Sequence, residues 1–155
     1  MTINYFDNVK QTKNFKSIDI SEYISLVRNN PNKDEIEVAR FGPKDDYYKK
    51  VKLQQPCVTF NFKFNQIKND DNILCSTGLI YFDIDVDTFN TNGLDKAKIF
   101  IVAQSFGGKG YTIICKVNNL TKENFKNTYL HIAKKLNILE YIDLNAIRAT
   151  QYTFI

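Results

Sequence analysis

Apolar residues recur along this chain with two periods, one typical of helices and one typical of strands. Spacings of three and four residues in the segments 17–29 and 122–136 predict two helices. A further short helix is predicted over 34–41, where Gly42 and Pro43 would end it. Thr121 is the expected N-cap of the helix at 122–136. The polar and aromatic segment 44–52 predicts a surface loop or a short helix. Helices are therefore expected toward both ends of the chain.

Alternation of apolar and polar residues predicts the strands. The clearest case is the segment 57–64, where the two kinds alternate without a break, so a half-buried strand is predicted. Further strands are predicted over 78–86, 99–103, 111–117 and 151–155, with a turn at 68–72 and a helical turn within 93–98. Hairpin-like strand pairs with helices at both ends predict an α+β fold, with a largely antiparallel central sheet flanked by helices.

Length and composition narrow the class of protein. The 155 residues suit one compact domain, and a predicted strand that reaches Ile155 indicates a piece of a longer protein. No apolar run approaches the ~20 residues of a membrane helix, and the first residues lack the apolar core of a secretion signal, so a cytoplasmic protein is expected. Cys57, Cys75 and Cys115 are too widely spaced for a zinc site or a disulfide framework. A net charge of +4 permits a nucleic-acid partner without requiring one.

The candidate chemistry begins with three aspartates on one predicted strand. Asp83, Asp85 and Asp87 alternate with apolar residues, so their side chains point to one face while the apolar ones point into the core. Carboxylates this close repel one another unless a cation lies between them, and Mg²⁺ or Mn²⁺ prefers such oxygen ligands. The alternative is a strand end emerging into solvent. The apolar strand favours a ligand role for Asp83 and Asp85, while Asp87, beyond the apolar stretch, is predicted to be solvated.

A glycine-rich loop at 105–110 follows about twenty residues later. Its three glycines allow backbone N–H groups to converge on an anion, and Lys109 and Ser105 add a charge and a hydroxyl. It is not a Walker A loop, because the spacing differs and a strand is predicted after it. An ordinary hairpin turn is the alternative. A carboxylate strand paired with a basic glycine loop favours nucleotidyl transfer.

The order of these motifs resembles a known pattern. YFDIDVD at 81–87, SFGGKGYTIICKV at 105–117 and YIDLNAIR at 141–148 resemble the three motifs of archaeo-eukaryotic primase (prim-pol) domains. The chain is more narrowly similar to the VirE N-terminal primase-like family of Bacteroidetes, their phages and mobile elements. The basic residues, the proline and the Gly-Leu step of that family have counterparts at Arg40, Lys49, Lys52, Pro56 and Gly78–Leu79. The resemblance spans roughly residues 15–150.

The resemblance implies an RRM-like primase-polymerase core and a DNA or RNA primase activity. It implies a site for two ions, Mg²⁺ or Mn²⁺, at the catalytic residues Asp83, Asp85 and Asp143. It further implies binding of a nucleoside triphosphate at Ser105, Gly108, Lys109, Gly110 and Arg148. The expected partners are nucleoside triphosphates, a single-stranded DNA or RNA template and a replicative helicase, in a bacterium or a phage-infected host. Arg40, Lys49 and Lys52 are the candidate nucleic-acid contacts, with a solvated basic face as the alternative.

Two departures from the family pattern leave other functions open. The loop has Phe106 and Gly107 where Pro and Ser are typical, and Thr112 stands where many primase domains carry a histidine. A non-catalytic module that binds a nucleotide or single-stranded nucleic acid is therefore the alternative to an enzyme. A phosphatase of the haloacid-dehalogenase kind is a more remote one: its DxD strand is matched, but that strand usually lies near the N-terminus before a long α/β domain. His131, beside apolar neighbours on the last predicted helix, is expected to be structural or superficial.

Overall fold

The computed structural model describes residues 1–42, 46–142, 144 and 147–155. Four α-helices lie in these ranges: α1 Ile20–Arg28, α2 Lys33–Phe41, α3 Asp46–Gln54 and α4 Phe125–Lys135. Single turns of 3₁₀ helix occur at Asp70–Asn72, Thr91–Gly93 and Leu139–Tyr141. Over the ranges described, no helix has the length and apolar character needed to cross a membrane.

Nine strands occupy the same ranges, and every pairing between them is antiparallel. They are β1 Thr2–Phe6, β2 Lys16–Asp19, β3 Cys57–Thr59, β4 Phe62–Phe64, β5 Ile73–Ser76, β6 Leu79–Ile84, β7 Ile101–Gln104, β8 Tyr111–Lys116 and β9 Thr153–Phe154. Three sheets result, with the strand orders β2-β1-β3-β9, β4-β5 and β6-β8-β7. The α+β class with antiparallel strands is confirmed, but the prediction of one central sheet is wrong.

Long-range pairing accounts for the elements that the sequence pattern missed. Strands β1 and β2 have no predicted counterpart, and α1 begins at Ile20 rather than near residue 17 because Lys16–Asp19 pairs with β1. Ile3 and Ile18 face each other across that pair and are both buried. Strand β5 was likewise not predicted. It leaves Leu74 66% exposed, so its pattern carries little hydrophobic signal.

The segment 57–64 is two strands, with both faces buried, and the prediction of a single half-buried strand is wrong. Thr59 and Asn61, expected on an exposed face, are 0% and 1% exposed. Asn4 Nδ2 donates to Thr59 Oγ1 and to the Phe62 carbonyl, each at 2.7 Å, while Asn61 Oδ1 accepts from Tyr81 N at 3.1 Å. Between β3 and β4, the side-chain amides of Asn4 and Asn61 thus form hydrogen bonds with backbone groups that would otherwise pair with a neighbouring strand.

Strand β6 is buried on both faces, and this determines where its first carboxylate lies. On one face Ile80, Phe82 and Ile84 join a core that includes residues of α4. The Phe82 ring lies 4.5 Å from that of Tyr129, centre to centre. On the other face Leu79 and Tyr81 pack among residues of β1, β3 and α1. Asp83 is next on this second face, so it lies where the apolar packing ends.

Phe82→Ala is expected to lower the free energy of unfolding by about 3–5 kcal/mol, because it opens a cavity between β6 and α4. Phe82 is 0% exposed, whereas Phe41 is 90% exposed and provides the matched control. Phe41→Ala should change stability by less than about 0.5 kcal/mol. Urea denaturation of the two variants measures both values. Equal losses would contradict the core described here.

Candidate metal and nucleotide site

Three parts of the chain enclose a cavity of about 290 Å³ at the end of β6, here called the carboxylate cavity. They are the end of β6, the glycine-rich loop between β7 and β8, and the segment leading into β9; one face of α3 completes the wall. The predicted site residues that line it are Asp83, Asp85, Ser105, Lys109, Gly110 and Lys52. The carboxylates and the loop residues predicted to bind phosphate, which lie twenty or more residues apart in sequence, thus line one cavity.

Gly110 brings the loop against the carboxylate strand. A Cβ atom at this position would lie 1.8 Å from the Ile84 carbonyl oxygen and 3.1 Å from Asp85 Cα. Any side chain here would clash with backbone, so only glycine allows the approach. The loop is therefore held directly beside the residues expected to bind metal.

The loop is closed by its own hydrogen bonds. Ser105 N donates to the Gly110 carbonyl at 2.9 Å, and Gly110 N donates to Ser105 Oγ at 3.2 Å. Gly108, at φ +76°, donates its N–H to the Ser105 carbonyl at 2.9 Å and does not line the cavity. The N–H groups of Gly108 and Gly110 are thus used within the loop. Lys109 and Ser105, the loop side chains predicted to bind phosphate, both line the cavity.

Arg40 supports the loop from behind. Its Nε donates to the Phe106 carbonyl at 2.8 Å and its Nη2 to the Ser105 carbonyl at 3.1 Å. Phe106, which stands where the family has Pro, is 8% exposed and packs among Ile36, Ala39 and Val51 of α2 and α3. A loop held in this way is preorganised, which lowers the entropy cost of binding a ligand.

Asp83 is the most perturbed carboxylate of the cavity. Burial raises its pKa to about 6, and the nearby charge of Asp85 acts in the same direction. Hydrogen bonding from Tyr81 and the charge of Lys52 oppose the shift. The charged form is thus disfavoured in the folded protein, and a divalent cation would relieve that penalty. The predicted strand 78–86 ends at Ile84, so Asp83 lies near the end of β6 and Asp85 just after it. Both carboxylates line the cavity, and such a donor set suits Mg²⁺ or Mn²⁺.

The third expected ligand, Asp143, lies outside the described residues. Among the residues that are described, no three His, Cys, Asp or Glu side chains come together as a metal-binding group. The chain just before Asp143 does return to β6, because Ile142 forms an isolated antiparallel bridge with Ile84. The assignment of Asp143 as a ligand stays a prediction.

Asp87 is exposed, as expected, but it is also paired. Its Oδ2 lies 2.8 Å from Lys109 Nζ, and the two side chains are 57% and 67% exposed. Hydrogen bonding and charge from Asp87 raise the pKa of Lys109. Since both groups line the carboxylate cavity, a phosphate that bound Lys109 would compete with Asp87 for it.

A second cavity of about 240 Å³, here called the Arg148 cavity, adjoins the first. Both are lined by Asp83, Asp85 and Lys52, and the second is also lined by Arg148. Arg148, expected with the loop residues at the triphosphate, instead lines the cavity that the glycine loop does not line, together with Asp83 and Asp85. Asp83 and Asp85 therefore lie between two cavities, one lined by the glycine loop and the other by Arg148.

The three basic residues predicted to contact nucleic acid lie in different surroundings. Arg40 supports the loop, and Lys52 faces both cavities with its Nζ 5.0 Å from the centre of the Phe154 ring. Lys49 is 68% exposed, lines neither cavity, and pairs with Asp46 at 3.5 Å. The three form no continuous track, and their contact with nucleic acid stays a prediction.

Sequence reasoning missed the wall formed by the segment 151–154. Gln151, Tyr152, Thr153 and Phe154 all line the carboxylate cavity. Strand β9 reaches it by pairing with β3, almost a hundred residues earlier, and no local pattern reveals that pairing. Thr112 also faces the cavity, because it pairs directly with Asp83 across β8 and β6. His131 is exposed and lines neither cavity.

Comparison of the chain with family models, with curated proteins and with solved structures gives no match.

Gly110→Ala is expected to destabilise the fold by about 2 kcal/mol or more, because the added carbon would overlap the Ile84 carbonyl oxygen. Gly93→Ala is the matched control, since a Cβ there meets nothing within 4 Å and φ is ordinary. It should leave stability unchanged or raise it slightly. Thermal melts of both variants make the comparison. A Gly110→Ala variant as stable as the parent protein would contradict the close approach of the loop.

Asp83→Asn is expected to stabilise the protein at pH 8 and to change little at pH 4. Because the folded-state pKa is raised to about 6, the folded protein holds this proton more tightly than the unfolded chain. Stability is then lost as pH rises between about 4 and 6, and the loss persists above that range. At pH 8 the gain in the variant should be about 1–3 kcal/mol after allowance for partial exposure.

The exposed Asp71, on the 3₁₀ turn before β5, provides the control variant Asp71→Asn. Urea denaturation at pH 4 and pH 8 compares the three proteins. From pH 4 to pH 8, the free energy of unfolding of the parent protein should fall by more than that of Asp83→Asn. Equal changes in the two proteins would contradict the burial of a charged Asp83.

Proposed function

We propose that this chain is a metal-dependent nucleotidyltransferase of the primase-polymerase kind, which joins a nucleoside triphosphate to a nucleic-acid strand. The observation that carries the proposal is the contact of Gly110 with the backbone at Ile84 and Asp85. Because of this contact, Lys109 and Ser105 of the loop line the same cavity as the carboxylates of Asp83 and Asp85. Nucleotidyl transfer needs both kinds of group in one cavity.

The donor set supports a divalent metal ion. Asp83 and Asp85 share a cavity, and the pKa of Asp83 is raised first by burial and then by the charge of Asp85; a cation would relieve both penalties. In this proposal the two residues hold Mg²⁺ or Mn²⁺, and Asp143 completes the ligand set. Such an ion would lower the pKa of an attacking 3′-hydroxyl and neutralise charge on the departing pyrophosphate.

The remaining residues divide between two substrates. Lys109 and Ser105 bind the phosphates of the nucleotide, and Lys109 exchanges Asp87 for them. Arg148, in the adjoining cavity, neutralises a phosphate of the nucleic-acid strand. Lys52 faces both cavities and neutralises charge where the two substrates meet. Two cavities that meet at two carboxylates suit a reaction between two phosphate-bearing molecules.

The arrangement around β6 supports the resemblance to an RRM-like primase-polymerase core. Asp83 lies near the end of β6 in the antiparallel sheet β6-β8-β7 and Asp85 just after that strand, the loop joins β7 and β8, and α4 covers the opposite face of β6. Within this proposal the whole chain is one such domain. A single-stranded DNA or RNA template is the second substrate, and a replicative helicase is a partner.

A non-catalytic binding module is the second candidate, and Thr112 favours it. Thr112 is 3% exposed and lies opposite Asp83 on the paired strand. It occupies the position where primase domains often carry a histidine, and a threonine hydroxyl neither carries a positive charge nor transfers protons near neutral pH. A phosphatase of the haloacid-dehalogenase kind is less favoured, because all pairings of the described strands are antiparallel.

Primer extension tests the proposal. With Mn²⁺ or Mg²⁺, a primed single-stranded template and nucleoside triphosphates, the protein should lengthen the primer, or start a strand when the primer is left out. Asp85→Asn should reduce the rate about 100-fold or more, because the ion it holds contributes several kcal/mol of transition-state stabilisation. Asp71→Asn, on an exposed turn away from both cavities, should retain the parental rate.

The same assay separates the candidates. Metal-dependent binding of nucleoside triphosphate without any extended product would favour the binding module. Extension by Asp85→Asn at the parental rate would overturn the assignment of the carboxylates.

A further inference from the structure

The side chain of Thr153 presents a buried hydroxyl without a hydrogen bond at the wall of the carboxylate cavity. Thr153 is 6% exposed, and among the described residues its Oγ1 is the buried side-chain atom that lacks a partner. Thr153 pairs with Val58 across β9 and β3, so its side chain shares a face with Val58 and points toward the core side of Tyr81. The hydroxyl is therefore held in place by the sheet.

Tyr81 is a candidate partner within reach of this hydroxyl. Burial holds the pKa of Tyr81 well above its usual value, and a hydrogen-bonding contact with Thr153 acts against that shift. The contact does not meet the distance and angle of a full hydrogen bond, so the Thr153 hydroxyl stays without a partner. Tyr81 also interacts with the Asp83 carboxylate. Buried hydroxyl groups in proteins nearly always have partners, because an unsatisfied one loses its bonds to water without replacement. A partner supplied by a ligand would account for this one.

The lining of the cavity indicates which part of a ligand reaches Thr153. The loop wall carries Ser105 and Lys109, and the end of β6 carries Asp83 and Asp85, so these walls suit the triphosphate and its metal ion. The wall at 151–154 has no charged side chain. In a nucleoside triphosphate the sugar is the uncharged group next to the α-phosphate. It is also the group whose hydroxyls can both donate to and accept from a threonine hydroxyl.

We infer that Thr153 recognises the sugar of the bound nucleotide. Its Oγ1 forms a hydrogen bond with a sugar hydroxyl of the nucleoside triphosphate that occupies the carboxylate cavity. The inference rests on the proposed function, since it takes the triphosphate to bind at the loop and the carboxylates. It makes Thr153 a specificity-determining residue, by which the protein distinguishes nucleotides that carry that hydroxyl from those that lack it.

The experiment measures binding of three nucleotides by calorimetry with Mn²⁺ and without template. They are ATP, 2′-deoxy-ATP and 3′-deoxy-ATP. The parent protein should bind one of the deoxy analogues about threefold to tenfold more weakly than ATP, the loss expected for one hydrogen bond. The weaker analogue identifies the hydroxyl that is read. Thr153→Val should bind all three with equal affinity, whereas Thr153→Ser should retain the difference.

A stability measurement distinguishes this role from a structural one. Valine has the shape of threonine without its hydroxyl, so Thr153→Val should leave Tm unchanged or raise it by about 1–4 °C. Thr59 is the matched control, because it is 0% exposed and its Oγ1 accepts a hydrogen bond from Asn4 at 2.7 Å. Thr59→Val should lower Tm and leave the nucleotide preference of the parent protein intact.

The outcomes that overturn the inference are separable from failure of the proposed function. If ATP and both deoxy analogues bind with equal affinity, or if Thr153→Val keeps the parental preference, Thr153 does not read the sugar and the proposed function still stands. If Thr153→Val lowers Tm as much as Thr59→Val does, its hydroxyl has a structural partner and the inference fails. If none of the three nucleotides binds, the proposed function fails and the inference fails with it.

Discussion

The approach of Gly110 to the backbone of β6 is the contact on which the candidate site depends. A loop that lay one side chain farther away would leave Lys109 and Ser105 out of the space that Asp83 and Asp85 line. The loop can lie this close because a Cβ is absent where the Ile84 carbonyl oxygen would otherwise be met at 1.8 Å. The Arg40 guanidinium and the buried Phe106 ring hold it there from behind. Ser105 and Lys109 of the loop therefore line the same cavity as the carboxylates.

A charged Asp83 in that site lowers the stability of the folded protein, and this unfavourable placement indicates a binding role. Strand β6 is buried on both faces, so Asp83 lies at the edge of a core rather than on an open surface. Burial and the charge of Asp85 raise its pKa to about 6. The unpaired Thr153 hydroxyl is a second unfavourable feature in the same cavity. Unfavourable groups gathered in one cavity are typical of sites that a ligand completes. Among the residues that the structure describes, the other buried side-chain polar atoms have hydrogen-bond partners.

Local sequence patterns were enough to predict the parts of the site that single elements carry. Alternation located the strand of Asp83 and Asp85, glycine spacing located the loop, and helical periodicity located α4. The remaining parts depend on contacts between distant segments. The break between β3 and β4 follows from Asn4 and Asn61, whose side chains replace backbone partners. The wall at 151–154 exists because β9 pairs with β3. Such pairings leave no periodic signal in either segment.

The most direct test of a joint metal and nucleotide site is a crystal structure of the protein with Mn²⁺ and a nucleoside triphosphate, with anomalous scattering measured at the manganese edge. The account predicts an anomalous peak within about 2–2.5 Å of carboxylate oxygens of Asp83 and Asp85. It also predicts triphosphate density beside Lys109 and Ser105, with the Lys109–Asp87 ion pair broken. A peak at other residues, or triphosphate bound away from the loop at 105–110, would contradict it.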